Sequence, residues 1–270
     1  MRFSVLLSVY KKEQPVYLQQ SLDSLFNQTL LPNEVILVKD GPLTNELEEV
    51  IVRYTQMYPT LKVVSLLENQ GLGKALNEGL KHCSYELVAR MDTDDISKSD
   101  RFERQIEIFK SSSDIDVVSS WIDEFEGDIS NVLSIRRLPE LHGDIYAFAK
   151  NRNPVNLPVV MFRKQAIIDV GGYQHFPLFE DYFLWIRLFM NGAKFYNIQD
   201  SLLYFRFSPD MFKRRGGWKY ALDELRFQYT MKQMGFLSYA HFFKNISIRF
   251  VVRIIPNSLR TILYKKILRK

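Results

Sequence analysis

Three carboxylates stand within four positions at Asp92, Asp94 and Asp95, directly after the apolar run of residues 87–89. Like charges this close repel each other unless a cation or hydrogen-bond donors offset them. Ligands of open α/β sheets gather at the carboxyl ends of strands, which is where this cluster is expected. The pattern indicates a metal or phosphate site, and the alternative is a solvated loop in which Asp forms a turn or caps a helix.

Further acids occupy comparable positions elsewhere in the chain. Asp40 follows the continuous apolar run of residues 34–38, which is typical of a parallel strand covered on both faces. Glu180 and Asp181 precede an apolar helix that we expect to end near residue 190. A carboxylate beside the aromatic residues there can serve as a general base in a sugar pocket, or it can simply cap the helix.

Two glycine-containing stretches offer positive or amide groups for phosphate. Residues 69–77 place two glycines before a predicted helix, but Leu76 breaks the dinucleotide fingerprint and Ala75 breaks the P-loop pattern. A dehydrogenase or P-loop kinase is therefore disfavoured. Lys74 and Asn77 are three residues apart and share one helix face.

Arg214 and Arg215 precede two further glycines. This short basic segment suits a diphosphate, because guanidinium groups bind phosphate oxygens in pairs. A solvated basic loop is the alternative.

The elements that must position these residues alternate regularly. Apolar runs predict strands at 3–9, 34–38, 61–67 and 85–91, and helical periodicity predicts helices at 16–26, 45–58, 73–82, 101–109 and 180–190. Strands that alternate with helices at this spacing indicate βαβ units and a mainly parallel sheet. The predicted class is a Rossmann-like α/β fold.

Composition excludes several other classes of protein. The 270 residues are 46% hydrophobic and 14% aromatic, which is enough for a full core, and we expect one large domain with an appendage. Cys83 is the only cysteine, so no intrachain disulfide forms and a reducing compartment is expected. The histidines lack zinc-site spacing. No apolar run is long enough to predict a transmembrane helix, and the N-terminus is interpreted as a strand rather than a signal peptide.

The positive charge lies in the tail. The net charge is +5, yet ten bases follow the last acid, Glu224, which leaves −5 for the preceding body. Residues 241–270 predict two amphipathic helical stretches on either side of Pro256, with basic side chains between the apolar ones. The first stretch contains Phe243, Ile246, Phe250 and Ile254 interleaved with Lys244, Arg249 and Arg253. Such a helix favours a membrane surface, or else it packs on the body or on a partner subunit.

Several motifs in order carry a family resemblance. Residues 3–10, 21–29, 38–41, 69–71, 91–95 and 180–181 together resemble the family 2 inverting glycosyltransferases of GT-A fold. Residues 39–43 resemble the bacterial surface-polysaccharide branch of that family. The resemblance covers residues 3 to about 218. It implies a GT-A domain over residues 1–224 and a basic amphipathic helical tail over residues 225–270.

The resemblance implies a role for each matched acid. Asp40 matches the acid that recognises the nucleotide base, and Asp92 with Asp94 matches the element that holds the ribose and a Mg²⁺ or Mn²⁺ ion on the donor diphosphate. Asp181, preceded by Glu180, matches the general base that takes the acceptor proton. Asp95 is left as an ordinary helix N-cap.

The resemblance also has looser parts. Lys74 lies near the position where relatives carry a basic residue beside the donor, and Asn77, Arg214 and Arg215 are expected to bind the nucleotide sugar with it. Lys39 departs from the family, in which many members have an acid at that position. This departure leaves open which nucleotide base the protein recognises.

The resemblance implies a metal-dependent inverting glycosyltransferase that moves one sugar from a nucleotide-diphosphate sugar, expected to be a UDP-sugar, to a saccharide or lipid-linked acceptor in surface polysaccharide synthesis. We expect it in the cytoplasm, peripheral on the inner face of the cell membrane. The alternatives are a sugar-nucleotide nucleotidyltransferase, whose glycine-rich first loop is absent here, and a non-catalytic nucleotide-sugar-binding protein. No motif for nucleic-acid recognition is found.

Overall fold

Nine strands and nine helices organise the part of the chain that the computed structural model describes, which is residues 1–207 and 217–254. Arg214, Arg215 and the tail beyond residue 254 lie outside these ranges. The strands are β1 Phe3–Val9, β2 Glu34–Lys39, β3 Leu61–Ser65, β4 Leu87–Arg90, β5 Ile96–Ser97, β6 Val117–Phe125, β7 Val132–Arg136, β8 Met161–Arg163 and β9 Phe195–Arg206. The helices are α1 Pro15–Phe26, α2 Asn45–Met57, α3 Leu72–His82, α4 Arg101–Ser111, α5 His142–Ala149, α6 Lys164–Asp169, α7 Glu180–Met190, α8 Trp218–Gln233 and α9 Tyr239–Ile254.

One sheet runs through the molecule in the order β3-β2-β1-β4-β8-β6-β9-β5, with β7 paired to β6. The β3-β2-β1-β4 segment is parallel, as the continuous apolar runs predicted. The sheet then turns antiparallel at β8, and a second parallel pair, β6 with β9, follows. The α/β prediction is confirmed, although β9 is a strand that the sequence did not indicate.

The core fills both faces of this sheet. Val5 and Leu7 of β1 point to the side covered by α1, α2 and α4, whereas Leu6 points to the side covered by α3, α7 and α8. Side chains alternate across a strand, so a strand covered on both faces has an uninterrupted apolar sequence. This packing fixes the carboxyl ends of β1, β2 and β4 at one edge, where the acids follow.

The predicted boundary at residue 224 falls inside α8. Phe227 and Met231, which the sequence assigned to the tail, are fully buried in the core cluster. The helical part of the body therefore extends through α8, because its apolar side chains pack against α7. In the residues that the structure describes, no helix is long and apolar enough to cross a membrane.

A buried acid at the opposite end of β2 from Asp40 gives a prediction about stability. Glu34 accepts hydrogen bonds from the hydroxyls of Ser4 and Ser84 and from Lys62 Nζ. Burial raises its pKa, but these hydrogen bonds outweigh burial and lower the pKa to about 2. Because the folded pKa is depressed, Glu34 stabilises the protein above about pH 4.5, and this contribution is lost as pH falls toward about 2.

We expect the free energy of unfolding to fall by about 2 kcal/mol more in the wild type than in Glu34→Gln between about pH 5 and pH 3. Reversible urea unfolding at each pH measures this difference. The Gln variant has the same size but does not titrate, so it accounts for the other acids. Parallel pH profiles for the two proteins would contradict the assignment.

Candidate active site

The acid cluster lies just beyond the carboxyl end of β4. Oxygens of Asp92, Asp94 and Asp95 all lie within 4.8 Å of one another. Asp94 and Asp92 are partly buried, and Asp95 is fully buried. The structure therefore brings together the two carboxylates predicted to bind metal, and it adds a third.

Electrostatic repulsion within this cluster is only partly offset. Arg90, which is 1% exposed, places Nη2 2.5 Å from Asp92 Oδ1. Burial together with the charges of Asp92 and Glu13 raises the pKa of Asp94 to about 7. Burial and the charge of Asp94 raise the pKa of Asp95 well above its usual value. One guanidinium thus faces more negative charge than it can balance.

Asp95 was predicted to cap a helix, and the structure shows that this prediction is wrong. The N-cap position of α4 is occupied by Asp100, whose side chain makes no capping hydrogen bond, and Asp95 lies inside the fold. Its Oδ1 accepts a hydrogen bond of 2.8 Å from the Arg206 backbone N–H, while its buried Oδ2 has no hydrogen-bond partner among the residues that the structure describes. A buried carboxylate oxygen without a donor, beside two other carboxylates, fits a hard divalent cation such as Mg²⁺ or Mn²⁺.

Two residues that sequence reasoning missed support the cluster. Glu13 Oε2 accepts a hydrogen bond of 2.7 Å from Thr93 Oγ1. Arg206, at the end of β9, donates from Nε to the Asp94 carbonyl at 2.8 Å and stacks 3.9 Å above the Tyr17 ring. Glu13 follows the carboxyl end of β1, the signal that identified Asp40, whereas nothing local marks Arg206.

Asp40 holds the loop that precedes α3. Its carboxylate, 4% exposed, accepts hydrogen bonds from the backbone N–H groups of Gln70 at 2.7 Å and Gly71 at 3.1 Å, and from Asn69 Nδ2 at 2.9 Å. The next residue, Gly41, has a φ of +85°, and an added Cβ would meet the Asn69 backbone N at 2.6 Å. Asp40 thus fixes the 69–71 loop, and its contact with a nucleotide base stays a prediction.

Lys39 is held away from the acids. Its Nζ lies 2.5 Å from Glu48 Oε1 on α2. Successive side chains on a strand point to opposite faces, so Lys39 and Asp40 point in different directions. The departure from the family pattern at this position therefore creates an ion pair with α2 and leaves the site acids unchanged.

Lys74 and Asn77 have different surroundings. Lys74 is exposed near the start of α3. Asn77 bridges to Tyr173, since its Oδ1 accepts from the Tyr173 N–H and its Nδ2 donates to the Tyr173 carbonyl, both at 2.7 Å. The amide of Asn77 thus secures the loop before α7, and its contact with the nucleotide sugar stays a prediction.

Glu180 and Asp181 form the first turn of α7 and line a pocket of about 200 Å³. The residue that caps α7 is Phe179, so neither acid is the N-cap that the alternative reading required. Asp181 Oδ2 accepts a hydrogen bond of 2.8 Å from Asn153 Nδ2, and Glu180 Oε1 lies 2.7 Å from His175 Nδ1. The helix dipole further favours negative charge at this end of α7.

The start of α3 packs against the start of α7 in the same pocket. A Cβ added at Gly73 would lie 2.9 Å from Glu180 Oε2. Leu72, Leu76 and Leu157 supply apolar walls. Gly73 therefore permits close packing of the two helices.

Arg90 and Tyr173 lie between the pocket and the acid cluster. Tyr173 lines the pocket, and within the described part of the chain its buried hydroxyl has no hydrogen-bond partner. Burial raises the pKa of this phenol, whereas the nearby Arg90 charge acts in the opposite direction. Arg90 also pairs with Asp92. The charges of Asp181 and Asp92 both act on the Tyr173 phenol, so Tyr173 lies near both sets of acids.

Comparison with known proteins agrees with this geometry. The family model for glycosyl transferase family 2 matches residues 4–171. The chain is 41% identical to the UDP-Gal:alpha-D-GlcNAc-diphosphoundecaprenol beta-1,3-galactosyltransferase of Escherichia coli, over 100% of this chain and 97% of the relative. It is also 41% identical to the amylovoran biosynthesis glycosyltransferase AmsE of Erwinia amylovora, over 98% of each chain.

A solved structure shows the same fold. The mannosyltransferase PcManGT of Pyrobaculum calidifontis, in complex with GDP-Man and Mn²⁺, superposes with a TM-score of 0.66 at 16% identity, over 96% of this chain and 71% of that one. The fold is thus that of GT-A glycosyltransferases. The chain belongs to glycosyl transferase family 2, and it is a glycosyltransferase.

Proposed function

We propose that this glycosyltransferase is metal-dependent and inverting, and that it moves one sugar from a UDP-sugar to a lipid-linked saccharide acceptor in surface polysaccharide synthesis. The observation that carries the proposal is the pairing of two acidic sites, the Asp92–Asp94–Asp95 cluster and Asp181 at the pocket. The Escherichia coli relative is named for a UDP-Gal donor and a diphosphoundecaprenol-linked acceptor, and AmsE for amylovoran biosynthesis.

In this proposal Asp181 is the general base. Its carboxylate removes the proton from the acceptor hydroxyl as that oxygen attacks the anomeric carbon, and the bond from that carbon to the diphosphate oxygen breaks on the opposite face. A single in-line displacement inverts the anomeric configuration and needs no nucleophilic side chain. Asn153 holds the carboxylate in position through its hydrogen bond to Oδ2.

The acid cluster is the proposed cation site. Asp92 and Asp94, with the unpartnered oxygen of Asp95, would hold Mg²⁺ or Mn²⁺. When bound, the cation supplies Lewis-acid stabilisation of the departing diphosphate. Arg90 orients Asp92 through their ion pair.

The nucleotide is proposed to bind beside Asp40. A uracil N–H can donate to this carboxylate, which has lone pairs beyond those used by the 69–71 loop. Lys74, exposed near the amino end of α3, is proposed to contact the diphosphate. Arg214 and Arg215 are proposed to add positive charge there.

A transfer assay tests the proposed function. Purified protein is incubated with radiolabelled UDP-Gal, Mn²⁺ and a GlcNAc-diphosphoprenol acceptor in detergent, and labelled lipid product is separated from donor. We expect a disaccharide lipid and free UDP. Release of pyrophosphate from UTP and a sugar phosphate would instead identify a nucleotidyltransferase, and donor binding without turnover of UDP-Gal, UDP-Glc or UDP-GlcNAc would indicate a binding protein.

We also propose that α8 and α9 contact the inner face of the cell membrane. Their outer surface carries large apolar side chains that are 47–65% exposed, namely Trp218, Leu222, Tyr229, Tyr239 and Phe243. We call this set the α8–α9 apolar face. Lysines and arginines lie between these residues in the sequence, and no acid follows Glu224. Apolar anchors among basic groups match an anionic lipid surface and would bring the pocket to a lipid-linked acceptor.

Membrane binding by this face predicts a defined loss. The double variant Trp218→Ser/Phe243→Ser should bind vesicles containing anionic lipid at least about tenfold more weakly. The reason is that it lacks two aromatic side chains that would insert into the lipid surface. Vesicle flotation at several lipid concentrations measures this affinity. Met57→Ser, which removes an equally exposed apolar side chain from α2, is the control. Unchanged flotation of the double variant would refute the proposed contact.

A further inference from the structure

Polar groups attach α9 to the body. Asn245, which is 4% exposed, donates from Nδ2 to the Lys150 carbonyl at 2.7 Å and to Gln228 Oε1 at 2.9 Å. One turn further along, Arg249 forms an ion pair with the buried Glu224 and donates to the Asn151 carbonyl. The guanidinium of Arg249 therefore points inward, and this part of α9 packs on the body, which is one of the alternatives that the sequence left open.

The backbone that α9 holds leads directly to the proposed base. Asn245 and Arg249 bind the carbonyls of two consecutive residues, 150 and 151. Two residues later, Asn153 Nδ2 donates to Asp181 Oδ2 at 2.8 Å, and Asn153 Oδ1 accepts from the Val155 N–H. A continuous chain of hydrogen bonds and backbone thus joins α9 to the first turn of α7.

Other contacts make this segment a defined support. The Tyr182 hydroxyl donates to the Ala149 carbonyl, and Arg136 Nη2 donates to the Asn153 carbonyl at 3.2 Å. Residues 149–153 are therefore held from α7 on one side, α9 on another and β7 on a third. A short segment fixed at this many points can set the direction of the Asn153 amide.

The polar nature of the contacts between α9 and the body indicates that they fix the position of the backbone more than they stabilise the fold. A buried ion pair gains little net free energy, because both charges lose their hydration, whereas it fixes position and register. An apolar contact between α9 and the body would stabilise the helix without holding any particular carbonyl. Here the side chains of Asn245 and Arg249 are used on residues 150–151 and on the α8 side chains beside them.

From these contacts we infer that Asn153 is the positioning residue for Asp181, and that Asn245 and Arg249 of α9 hold Asn153 in place. This inference rests on the proposed function, since it assumes that Asp181 is the general base. The C-terminal helix is then part of the machinery that aligns the base, in addition to carrying part of the α8–α9 apolar face.

The test measures kcat and donor KM for Asn153→Asp, Arg249→Ala and Arg249→Lys with a short-chain acceptor in detergent, so that vesicle binding plays no part. Asn153→Asp keeps the shape and the acceptor for Val155 but replaces the amide donor by a charge that repels Asp181. Ser247→Ala is the control, because this exposed residue bonds only to the Phe243 carbonyl within α9.

We expect kcat to fall about tenfold to a hundredfold in Asn153→Asp and Arg249→Ala, with donor KM within about twofold of the wild type. Arg249→Lys should recover part of kcat because it keeps the charge facing Glu224. Arg249→Ala combined with Asn153→Asp should lose less than the product of the two single losses, since both act through one link.

Three results would overturn the inference while leaving the proposed function intact. They are wild-type kcat in Asn153→Asp, a raised donor KM with unchanged kcat, and full multiplicativity in the double variant. If Arg249→Ala does not fold, Asn153→Asp still tests the link between Asn153 and Asp181, and Arg249→Lys tests the link to α9. Absence of transfer by the wild-type protein would instead overturn the proposed function.

Discussion

Asp181→Asn should lower kcat for sugar transfer by about 10²- to 10⁴-fold and leave donor KM nearly unchanged. The amide has the same shape as the carboxylate, so the pocket and the Asn153 contact site persist. The amide cannot, however, remove the proton from the attacking hydroxyl group of the acceptor saccharide. The loss then lies in the chemical step rather than in binding. Initial rates at several concentrations of each substrate separate kcat from the two KM values.

A matched control makes this result specific. Asp144→Asn removes another acid from the first turn of a helix, α5, at an exposed position away from the pocket. It should keep wild-type kcat. Glu180→Gln should have a smaller effect than Asp181→Asn, because Glu180 faces His175 rather than Asn153. Transfer by Asp181→Asn at a near-normal rate would refute the assignment of the base.

The strands could be predicted wherever burial on both faces left an uninterrupted apolar run. β1 was predicted with its observed limits, Phe3–Val9, and β2 to within one residue. β9 was missed although it has 12 residues. It pairs with β6 across about a third of the chain, with register shifts, and half-buried and exposed positions interrupt its apolar sequence. Its position depends on β6 and not on a local pattern.

The roles of individual site residues also divide into those that a local sequence pattern predicts and those that depend on distant partners. The proximity of Asp92 and Asp94 is local and was visible in the sequence, whereas the burial of Asp95 depends on Arg206, 111 residues away. Asn77 shares a helix with Lys74, yet its partner Tyr173 lies 96 residues further along. In the sequence Arg249 is one of ten bases in the tail, and only the fold shows its ion pair with Glu224. Tertiary partners set each of these roles, and single-sequence patterns do not specify them.

Removal of divalent cations should abolish transfer, and Asp94→Asn should combine loss of activity with a gain in stability. Three carboxylates within 4.8 Å repel one another, and burial together with this repulsion raises the pKa of Asp94. A neutral isostere relieves it. We therefore expect the cation-free variant to unfold at a temperature a few degrees above the cation-free wild type, on the order of 1 kcal/mol.

Added Mn²⁺ should stabilise the wild type more than Asp94→Asn, which is the reverse of the difference expected without cations. With UDP present, Mn²⁺ at about 100 times its dissociation constant should stabilise the wild type by about 2.7 kcal/mol and Asp94→Asn by much less. Thermal unfolding with EDTA and with Mn²⁺ measures both effects on the same samples. Asp100→Asn, which removes the acid at the N-cap position of α4 outside the cluster, should keep the full Mn²⁺ response.

Only a cation site predicts both the loss of transfer without divalent cations and the greater stability of cation-free Asp94→Asn. If the acids merely formed a turn, relieving their repulsion would stabilise the protein without a loss of transfer. If they bound phosphate through water or backbone groups, EDTA would leave transfer intact. Transfer that persists in EDTA would therefore remove the cation from the proposal while leaving Asp181 as the base, because the two sites are tested by different variants.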